Sequence, residues 1–138
     1  IKRWINTVIL IRGFYNIGFA IFHIPFWKMF KWGTDLKKLS FANKAVMQLL
    51  NIQIMYYFAF VAFICFALPT ELLTTKLGNY FLLGNSLFWL VRTIQQFVFL
   101  RVNHYKIHIL TTIFIAGTIL FALPALMKWR KNKKPLIT

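Results

Sequence analysis

Residues 44–68 read KAVMQLLNIQIMYYFAFVAFICFAL, and after Lys44 this run carries no charged side chain. Crossing about 30 Å of hydrocarbon takes roughly 20 helical residues, so the run is long enough. A membrane strand would alternate polar and apolar side chains over about ten residues, and this run does not. Lipid offers no partner to backbone N–H and C=O groups, which leaves the helix.

Three other stretches have similar length and character: Trp4–Ile24, Gly78–Leu100 and Lys106–Met127. The sequence therefore predicts an all-α membrane protein, a four-transmembrane-helix up-down bundle, in a single domain over 1–138. Composition agrees. Hydrophobic residues make up 59% of the 138 and charged residues 14%, against about 25% charged in soluble domains. Disorder is excluded by the apolar excess. A disulfide scaffold and cysteine-built zinc sites are excluded by the single cysteine, Cys65.

The ends of the runs are punctuated. Pro25, Pro69 and Pro124 fall near the closing turns of the first, second and fourth, and Gly78 opens the third. Trp4, Trp27, Trp32, Tyr80, Tyr105 and Trp129 cluster where aromatic belts form at the water interfaces. The first run lacks a small-residue cleavage site and carries Arg12 and Asn16, so it reads as a retained span. Between the first two spans, Phe26–Phe41 interleaves Phe26, Trp27, Phe30, Leu36 and Leu39 with Lys28, Lys31, Lys37 and Lys38. That alternation predicts short helices lying in the interface, the alternative being a solvated loop. Thr34 is the expected cap of the second piece, and Ser40 or Asn43 of the following span.

Seventeen Lys and Arg against two acids, Asp35 and Glu71, give a formal charge of +15. In a soluble chain this would point to nucleic acid. Here the bases flank apolar runs, where they meet anionic headgroups, so membrane lipids are the expected partners and nucleic acid is not. Lys2, Arg3, Lys76, Lys128, Arg130, Lys131, Lys133 and Lys134 lie on one side. Lys28, Lys31, Lys37, Lys38, Lys44, Arg101 and Lys106 lie on the other. The balance is nearly even; the dense tail Lys128–Lys134 favours cytoplasmic termini.

Polar residues within the spans carry the functional reading, because each costs free energy in hydrocarbon. Arg12, Asn16 and His23 share one helical face of the first span; Gln48, Asn51 and Met55 share one of the second. Asn85, Trp89, Arg92 and Gln96 line a stripe of the third, and His104, His108, Thr111 and Thr112 one of the fourth. With antiparallel threading, His23, Gln48, Asn51, Arg92, Gln96 and His108 are expected at one level. A permanently charged guanidinium without a carboxylate partner calls for carbonyl acceptors, water or an anion. The expected ligand is the polar head of an anionic amphiphile, a lipid or polyprenyl phosphate. Arg12 is expected to snorkel or bond between helices, so Arg92 is the residue expected to matter more.

Three other readings stay open. Histidines 23, 104 and 108 are candidate haem or metal ligands, although no cofactor is fixed by the sequence. In gross plan the four spans and even charge balance resemble small dual-topology transporters and fluoride channels. The transporters' membrane glutamate and the channels' glycine- and threonine-rich motifs are missing from it. The amide-lined interior also suits an accessory subunit packed on other membrane subunits, or a homodimer. No nucleophile stands out, and base catalysis would rest on histidine.

Overall fold

Backbone hydrogen bonds that stay within each segment account for almost the whole chain. The computed structural model describes residues 2–132, with the side chains of all but Lys2, Ile5 and 128–132. Among the described residues there are 7 α-helices and no strand. They are α1 (Lys2–His23), α2 (Phe26–Met29), α3 (Trp32–Asp35), α4 (Phe41–Ala67), α5 (Pro69–Thr74), α6 (Lys76–Phe99) and α7 (Tyr105–Asn132), with a 3-10 turn at Leu36–Lys38 after α3. Of the belt and tail residues expected above, Lys133 and Lys134 lie outside the described residues, as do the side chains of Lys2, Lys128, Trp129, Arg130 and Lys131.

Two helices are long and apolar enough to cross a membrane: α4, with mean hydropathy 1.9, and Tyr105–Met127 of α7, with 2.2. Only 28% and 22% of their most apolar windows is buried, so neither is wrapped by protein as a soluble core helix is. Helices α1 and α6, of 22 and 24 residues, match them in length and carry more polar side chains.

Local chemistry sets the ends. Ser40 caps α4, its Oγ accepting from the Asn43 N–H at 3.4 Å. Leu68 leaves the helical region (φ −127, ψ 46) ahead of Pro69, which disfavours helix in the residue before it. Pro69 then starts α5, where its missing N–H costs nothing. Thr75 caps α6 by accepting from Gly78 N–H at 2.9 Å. Gly78 is buried under α5, and a Cβ there would strike the Leu72 Cα and the Glu71 carbonyl oxygen.

The chain divides into two compact units, one ending at Pro69 and the other beginning at Thr70. In the first, α1 packs antiparallel on α4, with the Phe19 and Phe58 rings 5.5 Å apart. The Gly13 position is closed by the Phe66 ring, 2.5 Å from where a Cβ would stand. Ile9, Arg12, Asn16 and Phe19, at spacings of three and four, are the buried side of α1. In the second unit α6 packs antiparallel on α7. Ser86 Oγ donates to the Thr118 carbonyl at 2.8 Å, and Trp89 lies 5.6 Å from Phe114.

Three expectations need correction. Trp32 is buried at 7% exposure, packed near Trp27 and Phe26, rather than standing in a belt. Thr34 lies inside α3; the residue ahead of that helix is Lys31, in the left-handed conformation at φ 49. Pro124 sits within α7 instead of closing it. The connection after α4 is itself helical, α5, because Pro69 and the Thr75 hydroxyl stabilise its two ends.

Candidate functional site

The expected site residues divide between the units: His23, Gln48 and Asn51 in the first, Arg92, Gln96 and His108 in the second. Within α6, Arg92 and Gln96 are one turn apart, and Arg92 Nη1 donates to Gln96 Oε1 at 3.3 Å. The guanidinium carbon also stands 4.8 Å from the centre of the Phe114 ring, a cation–π contact across to α7. Arg92 is half-buried. Gln96 is 1% exposed, and its Nε2 is buried with no hydrogen-bond partner among the described residues.

Equal steps along both helices from the Ser86–Thr118 bond bring Gln96 level with His108. His108 is exposed, and its Nε2 lies 2.8 Å from Asn103 Oδ1 in the α6–α7 connection. His104 stands one residue ahead of α7, where its Nδ1 accepts from Lys106 N–H at 3.3 Å. It is therefore a cap rather than a member of the helical face expected from its spacing to His108. Arg101 and Lys106 are exposed at the same end. This end of the second unit carries Arg92, Arg101 and Lys106 and one buried amide donor.

In the first unit, His23 closes α1. Its Nδ1 lies 2.7 Å from the Phe19 carbonyl, which requires that nitrogen to carry the proton. The ring lies among aromatics, 4.5 Å from Phe26, 5.5 Å from Phe58 and 5.7 Å from Phe22. Asn51 is 8% exposed and donates to the His23 carbonyl at 3.4 Å; its Oδ1 is buried without a partner among the described residues. Gln48, one turn earlier on α4, is half-buried, and Gln53 faces outward.

Of the two expectations for Arg12, snorkelling fails: its side chain is 1% exposed, and Asn16 beside it is 0% exposed. Arg12 lies within electrostatic reach of Cys65 on α4. Asn16 Nδ2 returns to the Arg12 carbonyl at 2.9 Å. The signal was available in the sequence, because Arg12 and Asn16 occupy the same spacing as Ile9 and Phe19. Several other polar side chains in the helices also bond back to their own helix. Asn85 reaches the Phe81 carbonyl, Thr93 that of Trp89, and Thr111 that of Ile107. Such bonds satisfy hydroxyls and amides without water.

Chemically, the Arg92 end offers a permanent cation, a buried N–H donor and nearby exposed bases. This set accepts anionic oxygens. Among the described residues no three His, Cys, Asp or Glu side chains come together to hold a metal. The chain matches no family model, no curated protein and no solved structure.

Proposed function

We propose that the chain is a multi-pass membrane protein in which α1, α4, α6 and α7 span the bilayer, and that it binds the polar head of an anionic amphiphile. Residues 26–41 lie in the interface, and both termini face the cytoplasm. Inverted polarity supports the membrane reading. Buried positions include Arg12, Asn16, Asn51, Asn85, Thr93 and Gln96, while Leu50 and Phe63 are each 62% exposed and Ile119 54%. In water, each large apolar side chain left exposed forgoes about 1.5–3 kcal/mol of burial. Facing lipid, the same side chains cost nothing, and the polar groups belong inside.

The ligand reading is carried by one observation: the buried Nε2 of Gln96, without a hydrogen-bond partner among the described residues, one turn from Arg92. A buried amide donor without a partner costs about 1–3 kcal/mol, which a phosphate or carboxylate oxygen would offset. Arg92 supplies the counter-charge, and the His108 imidazole stands level with Gln96 on the facing helix. His23, Gln48 and Asn51 form a second polar end, in the first unit, where the buried orphan is an acceptor, Asn51 Oδ1, rather than a donor. The test is native mass spectrometry of the chain released from membranes. Adducts of an anionic phospholipid or polyprenyl phosphate, retained by the wild type and lost from Arg92→Ala, support the function. Neutral-lipid adducts alone, or none, contradict it.

A further inference from the structure

The segment joining α1 to α4 is built as a foot. Trp32 at 7% exposure and Leu36 at 2% are its buried pins. The Trp32 ring is held 5.7 Å from Trp27 and 6.3 Å from Phe26, and Phe26 packs 4.9 Å from Phe30. Around these pins, apolar side chains are left outside: Trp27 at 48%, Met29 at 49% and Phe30 at 49% exposure. Lys28, Lys31, Lys37 and Lys38 are exposed on the same short segment. Asp35 is its one acidic residue, and it is loosely paired with Lys38 at 3.8 Å with both side chains largely exposed. A solvated loop has no reason to hold Trp, Met and Phe outward on a pinned scaffold. An interfacial element does: aromatics and methionine enter the acyl boundary while the lysines meet phosphates.

We infer that Phe26–Lys38 is a docking surface for anionic phospholipid headgroups, selecting them over zwitterionic ones through Lys28, Lys31, Lys37 and Lys38. The charge complementarity decides the occupant: four lysine ammonium groups against one carboxylate face a surface of the opposite sign. This inference rests on the membrane reading above and is independent of the Arg92 site.

The experiment places a fluorophore at Phe30→Cys, with Trp27→Cys as a second position, in a Cys65→Ser background. A parallel label at Phe63→Cys on α4 reports insertion. The full chain is reconstituted in vesicles of phosphatidylcholine with phosphatidylglycerol. Brominated forms of each lipid and aqueous iodide serve as quenchers. The expected result is that bromolipid quenches the foot label and iodide does not. Brominated phosphatidylglycerol is favoured over brominated phosphatidylcholine, by a ratio that falls about fivefold for each lysine replaced by glutamine. Iodide quenching at positions 27 and 30, with position 63 still in lipid, overturns the foot and leaves the membrane reading standing; an acidic protein partner would give this outcome. Equal quenching by the two bromolipids overturns the selectivity. Iodide quenching at position 63 as well overturns both readings.

Discussion

Arg92 and Phe114 form a cation–π pair within the second unit, the guanidinium carbon 4.8 Å from the ring centre. The same guanidinium donates to Gln96 at 3.3 Å. The cation is thus steered by an aromatic face on one side and an amide oxygen on the other. A guanidinium has five N–H donors, more than these contacts use, and an anionic head can take others.

Replacing Arg92 separates charge from shape. Arg92→Ala removes both and is expected to weaken anionic-lipid binding about tenfold or more, the worth of one charge-assisted hydrogen bond. Arg92→Lys keeps the charge without the planar fork, so its affinity falls between the two. Lipid titrations followed by native mass spectrometry rank the three proteins.

Gln96→Met separates binding from stability. The substitution removes a buried N–H that has no partner among the described residues, together with the acceptor for Arg92. Losing an unsatisfied donor offsets losing one hydrogen bond, so unfolding in detergent should stay within about 1 kcal/mol of wild type. Anionic-lipid affinity should nevertheless fall about tenfold. Parallel loss of both properties would assign Gln96 a purely structural role.

The glycines form a graded series in thermal unfolding. At Gly84 and Gly18 nothing lies within 4 Å of an added Cβ, and Ala there should stabilise by about 0.5–1 kcal/mol through helix propensity. Gly13→Ala brings a Cβ to 2.5 Å from the Phe66 ring, whose atoms are the nearest ones, and that side chain is 36% exposed. Its cost should be small. Gly78→Ala strikes backbone of α5, which cannot yield, and should cost about 1–3 kcal/mol or more.

Ser86 and Thr112 test which hydroxyls join helices. Ser86→Ala deletes the bond to the Thr118 carbonyl on α7 and should cost about 0.6 kcal/mol, typical of such bonds in membrane proteins. Thr112 bonds its own helix at the His108 carbonyl and is exposed, so Thr112→Ala should leave unfolding unchanged.

Apolar runs and prolines made the long helices legible: the expected Trp4–Ile24 is helix Lys2–His23, and Lys44–Leu68 is Phe41–Ala67. The polar stripes were legible in part: Asn51, Asn85, Trp89 and Gln96 are buried, whereas His104, His108 and Thr112 of the last stripe are exposed. Composition misjudged particular groups. Trp32 has the belt's residue type, yet Trp27 and Phe26 enclose it. Arg12 has the length to snorkel, yet its place in the Ile9–Phe19 stripe keeps it inside. Helix α5 has too few residues for periodicity to reveal it; its Pro start and Thr75 hydroxyl mark its ends instead.

Spin labels along α7 in the reconstituted protein measure whether its apolar face meets lipid and its polar groups lie inside. Collision with oxygen, which partitions into lipid, is compared with collision with a water-soluble nickel chelate. At the exposed Ile109, Ile115 and Ile119 the account predicts high oxygen and negligible nickel collision, with both low at the buried Phe114 and Phe121. Nickel collision at Ile115 and Ile119 as strong as that of a water-exposed loop would place this face in water and contradict the account.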